Sequence, residues 1–96
     1  MKVMISQPMA GKSDMEILTE REELVKQLSL EGHEVVDTIF NPQEPRTPIW
    51  YLSKSIETMD GVDAVVFMPG WEMSRGCKIE YEIAKNYGKF IREVQK

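Results

Sequence analysis

The chain has 96 residues, a net charge of −4 at neutral pH, 42% apolar and 29% charged residues, and a single cysteine. That length fits one small domain, 1–96, with an ordinary core. The acidic balance and lack of a basic block argue against nucleic acid as a partner. No apolar run reaches the roughly 18 residues of a membrane span, so no membrane partner is expected.

No signal peptide is expected ahead of the first apolar run, and a reducing, cytoplasmic setting is expected for a chain whose lone Cys77 has no partner. One His and one Cys make a zinc site improbable, and neither a metal nor an organic cofactor is expected.

In chain order, Lys2 to Ser6 reads as a first strand, followed by a loop interrupted at Pro8 and Gly11. Ser13 and Glu16 match a capping box, opening a helix from Asp14 to about Glu31 with Ile17, Leu18, Leu24, Val25 and Leu28 on its apolar face. Gly32 closes that helix, and His33 to Asp37 reads as a second strand. After a loop carrying Pro42 and Pro45, Thr47 caps a second helix with Pro48 at its first position. Ile49, Leu52, Ile56 and Met59 recur at helical spacing until Gly61. Ala64 to Met68 is a third, buried strand bounded by Pro69 and Gly70. Ser74 caps a third helix ending at Gly88, and Lys89 to Val94 supplies a short fourth strand.

Strand-helix alternation of this kind calls for a parallel sheet with right-handed crossovers and helices on both faces. The expected fold class is α/β, a small flavodoxin-like, Rossmann-like doubly wound sheet of four strands ordered 2-1-3-4 with three helices. Its switch point lies between strands one and three, so the ligand crevice is expected between the loops Ser6 to Ser13 and Pro69 to Ser74.

Glu80 is the residue of most chemical interest. On a helical wheel it falls in the middle of a stripe formed by Gly76, Cys77, Ile83, Ala84 and Tyr87. Glu82, with Lys78 and Lys85, points to the opposite side. A carboxylate in a core-facing stripe is costly unless it is paired or lines a cavity. It is thus either a buried Glu tied to an amide or an Arg, or a catalytic carboxylate.

Gly11-Lys12-Ser13 ends like a phosphate-binding loop, but Ser6 stands where that motif needs glycine. A weaker expectation is that Ser6, Lys12, Ser13 and backbone amides at the helix start hold a phosphate or sugar hydroxyls, against a plain strand-to-helix turn. Trp71, in a loop at the expected crevice, is a stacking candidate; Trp50 and Tyr51 fit helix packing or a subunit contact better. Glu72 is expected to be exposed in the same loop. Arg75 is free to pair with Glu80, Glu72 or a substrate phosphate.

Three segments carry a resemblance across nearly the whole chain. They are Ile5-Ser6-Gln7-Pro8-Met9-Ala10-Gly11-Lys12, the run Asp63 to Glu72, and Ser74 to Glu80 with Ala84, Gly88 and Lys89 behind it. Together they resemble the nucleoside 2-deoxyribosyltransferase-like superfamily, which includes 2′-deoxynucleoside 5′-phosphate N-hydrolases. The resemblance implies that Glu80 is a glycosidic nucleophile and that the loop Ser6, Gln7, Gly11, Lys12, Ser13 lies against sugar or phosphate. It also implies a nucleoside or nucleotide ligand and a homo-oligomer. The chain departs from the superfamily at Ser55, where an aspartate is expected, and at Ser6 and Gln7, where the transferases place a tyrosine. With no Asp at 55, Glu72 or Asp60 is the nearest candidate acid for the leaving base. A ligand-binding relative without catalysis is the alternative.

Overall fold

In the computed structural model, which describes residues 1–94, the chain alternates strand and helix throughout. Residues 95 and 96, the end of the expected 1–96 domain, lie outside the described residues. The strands are β1 (Lys2–Ser6), β2 (Glu34–Val36), β3 (Ala64–Phe67) and β4 (Phe90–Glu93); the helices are α1 (Asp14–Leu30), α2 (Pro48–Asp60) and α3 (Arg75–Asn86). All three strand pairs are parallel, and the sheet order is β2-β1-β3-β4. This is a doubly wound α/β fold of the expected order.

Period-two alternation in the two central strands explains why helices cover both faces. Val3, Ile5, Ala64 and Val66 point to one side and pack with Leu24 and Leu28 of α1. Met4, Val65 and Phe67 point to the other and pack with Met59 of α2 and Ala84 of α3. Strands buried on both faces read as continuous apolar runs, as β3 does.

All three helix caps form at the residues the sequence marks. The side-chain oxygens of Ser13, Thr47 and Ser74 accept from the amides of Glu16, Trp50 and Cys77. Gly88, at φ +73°, follows the Tyr87 cap and takes the left-handed conformation that ends α3.

Three details differ from the sequence expectation. A single 3-10 turn, Trp71–Met73, interrupts the loop before α3. Tyr87, placed on the apolar stripe by the wheel, is the C-cap of α3, one residue past its last helical residue, and is 80% exposed. The stripe of α1 includes Arg21, which is buried with Ile17, Leu24 and Leu28, while Leu18 is exposed. Among the described residues no helix is long and apolar enough to cross a membrane.

Candidate active site

A cleft of about 800 Å³ opens at the carboxyl end of β1. Ser6 and Gln7 form its floor, and Asp14, Ile17 and Leu18 contribute the first turns of α1. The opposite wall comes from Thr38 to Asn41 after β2, and from Pro48, Tyr51, Leu52 and Ser55 of α2. Ser74, Gly76, Cys77 and Glu80 close it from the start of α3. A crevice at the carboxyl ends of parallel strands is where open α/β sheets place ligands.

Glu80 is buried in this wall at 8% exposure. Burial pushes its carboxyl up to about 7, and the nearby Ser6 hydroxyl offsets part of that rise. Ser6 itself is 2% exposed. Its Oγ lies near Glu80 and Cys77 yet makes no hydrogen bond of good geometry, so its bonding capacity is uncommitted. Burial likewise pushes the Cys77 thiol up, partly countered by the hydroxyls of Ser6 and Ser74, which suits a packed thiol better than a reactive one. Glu82, Lys78 and Lys85 lie exposed, as the wheel places them.

On the other side of the floor, Gln7 is locked. Its Nε2 donates to the Ile17 carbonyl at 2.8 Å, and its Oε1 accepts from Arg21 Nη1 at 3.5 Å. Arg21 Nη2 donates to Thr38 Oγ1 at 2.8 Å, and Thr38 in turn donates to the Ile5 carbonyl at 3.0 Å. Asp37 stands 3.7 Å from the guanidinium and is largely exposed. Burial lowers the Arg21 pKa, and the Asp37 charge works against that shift. Two cleft-wall residues, Gln7 and Thr38, thus take their orientation from one buried arginine.

The remaining sequence candidates lie elsewhere. Lys12 Nζ donates to both carboxylate oxygens of Glu20, at 2.9 and 3.0 Å, along the outside of α1. Gly11, at φ +78°, shapes the turn before that helix, and Ser13 serves as its cap. Neither these three nor Trp71, Glu72 and Arg75 form part of the cleft wall. Trp71 stacks on Tyr81 at 4.3 Å and 11°, packs against Phe67, and donates from Nε1 to Glu93 Oε1 at 3.2 Å. One face of its ring and its single donor are therefore already engaged. Glu72 and Arg75 are exposed. The crevice is bounded by the loop after β2 where the sequence reading puts the loop before α3, and from that second loop only Ser74 reaches it. Glu72 and Asp60, expected as acids for the leaving base, are absent from the wall, which carries Asp14 as its second carboxyl group.

Residues 1–93 match the family described as a domain of unknown function (DUF4406). The chain belongs to that family. No curated protein matches the chain in sequence. Among the described residues of this family member, no three His, Cys, Asp or Glu side chains gather as a metal site would require.

Thr38, Asn41 and Asp14 are cleft residues that the sequence reading did not single out. A signal for the first two was present in the strand order: with β2 beside β1, their carboxyl-end loops must be neighbours. Asp14 gave none, because an acid in the first turn of a helix has a sufficient role against the helix dipole.

Proposed function

We propose that this chain cleaves, or transfers across, the N-glycosidic bond of a deoxynucleoside or nucleoside or its monophosphate, with Glu80 as nucleophile. The observation that carries the reading is one buried carboxyl group, held near neutrality by desolvation, on the wall of the cleft. The resemblance of the segments around Ser6, Asp63 and Glu80 to the nucleoside 2-deoxyribosyltransferase-like superfamily adds the reaction class.

In this mechanism an oxygen of the ionised Glu80 attacks C1′ as the C1′–N bond breaks. The departing base takes a proton from solvent, leaving a glycosyl ester on Glu80. Water, or the nitrogen of a second base, then attacks C1′, its proton passes to solvent, and Glu80 leaves as a carboxylate. The uncommitted Ser6 hydroxyl beside it is placed to donate to that carboxylate and hold it in its charged form. No metal or organic cofactor enters. A cytoplasmic location and a homo-oligomer belong to the same reading and rest on cysteine usage and on the resemblance.

The test is incubation with a panel of deoxynucleosides, ribonucleosides and their monophosphates, with free base read by chromatography. Release from at least one substrate, lost in Glu80→Gln, is the expected result. Release that persists in Glu80→Gln removes the mechanism. A second reading, ligand binding without turnover, is favoured by Ser55, which lies on the cleft wall at the position where the resemblance calls for an aspartate. It predicts binding of the same compounds with no free base.

A further inference from the structure

Among the described residues, the charged groups on the cleft wall are all of one sign: Asp14 and Glu80 supply carboxyl groups, and no Lys, Arg or His lines it. Of the cations near the wall in sequence, Lys12 and Arg21 are engaged elsewhere, and Arg75, between Ser74 and Gly76, is exposed and lies outside it. Lys12 is paired with Glu20 outside α1, and the guanidinium of Arg21 is spent on Thr38 and Gln7 behind the wall. The start of α1, which also faces the cleft, has its Glu16 amide bonded to the Ser13 cap and carries Asp14 and Glu16 in its first turn. Those acids oppose an anion where a bare helix start would attract one.

On the basis of the N-glycosidic reading, we propose that the cleft takes an uncharged nucleoside and rejects its 5′-monophosphate, with Asp14 as the residue that enforces the choice. A phosphate entering this space gives up water without meeting a cation, and it approaches carboxylates of like charge. The uncharged polar groups of the wall, Gln7, Thr38, Asn41, Ser55 and Ser74, suit sugar hydroxyls and the edges of a base. Gln7 and Thr38 are pre-oriented by Arg21, so their remaining capacity is presented in fixed directions.

The test uses a non-cleavable carbon-linked nucleoside and its 5′-monophosphate, with dissociation constants measured by calorimetry at low and at moderate salt. At low salt the nucleoside is expected to bind about tenfold or more tightly than its monophosphate. The gap should narrow as salt screens the carboxylates. In Asp14→Asn the ratio should fall at least about threefold at low salt, an outcome that an Asp serving only the helix dipole would not produce. A monophosphate that binds as well as the nucleoside overturns the inference and leaves the glycosidic reading standing. An unchanged ratio in Asp14→Asn overturns the assignment of Asp14. If the nucleoside binds with the expected preference but no substrate releases base, the glycosidic reading fails alone. Binding of neither compound overturns both.

Discussion

Two ionisable side chains are buried beside the cleft to nearly the same depth, Arg21 at 6% and Glu80 at 8% exposure. Their surroundings differ. Arg21 reaches Thr38 at 2.8 Å and Gln7 at 3.5 Å, and Asp37 stands 3.7 Å away. Glu80 has one nearby hydroxyl, that of Ser6, and no well-formed bond to it. Burial disfavours the charge of each, but the consequences diverge because of intrinsic acidity. A guanidinium stays charged at any ordinary pH, so its lowered pKa changes nothing in its protonation. A carboxyl raised to about 7 changes state close to neutrality. Equal burial therefore makes the arginine a fixed brace and the glutamate a group that can exchange a proton.

The largest effect that would break this contrast is on turnover. Glu80→Gln keeps volume and hydrogen-bonding reach but removes the nucleophilic charge, and should reduce free-base release by about a thousandfold or more. Its melting temperature at pH 8 should be unchanged or higher. A variant that unfolds instead would make Glu80 another brace.

The pH dependence of stability sharpens the same point. The unfolded chain loses the Glu80 proton near 4.5, whereas the folded chain holds it to about 7. Between those values the folded state binds more protons, so the contribution of Glu80 to stability falls as pH rises from 4.5 to 7 and then levels off. A shift of this size corresponds to at most about 3 kcal/mol. Denaturant unfolding of the wild type at pH 5 and pH 8, against Glu80→Gln, measures it. The difference between the two proteins should be larger at pH 8, and a gap independent of pH would contradict the raised carboxyl.

Arg21→Met comes next. It retains most of the apolar stem but leaves Gln7 Oε1 without its donor and removes one partner of Thr38, at a cost of about 1–3 kcal/mol. Urea unfolding should show that loss. Stability equal to the wild type would mean that relief of the buried charge outweighs the network.

The smallest effect belongs to Lys12. Its pair with Glu20 is partly exposed, so Lys12→Ala should cost less than about 1 kcal/mol and leave free-base release unchanged. A large loss of release would place Lys12 at the ligand after all.

The secondary elements and their order are legible in the chain because local signals agree. Ser13, Thr47 and Ser74 cap three helices, and the run Ala64 to Phe67 supplies a strand buried on both faces. The separation of Glu80 from Glu82 is equally local, since helical geometry sets their directions about 160° apart. Sheet order was within reach too, through the rules governing parallel crossovers.

What the sequence by itself could not decide was which side chains had partners already. Trp71 looked free in a loop, but Tyr81 and Glu93 take up one face of its ring and its donor. Lys12 reads as a phosphate ligand, but Glu20, eight residues along the chain in α1, holds it. Arg21 carries no signal in the local sequence that it is buried, and Gln7, Thr38 and Asp37, 14 to 17 residues along the chain, make its burial tolerable. A residue's type and phase are properties of the local chain. Its availability for a ligand depends on contacts between segments far apart in sequence, and those are created only when the helices close on the sheet.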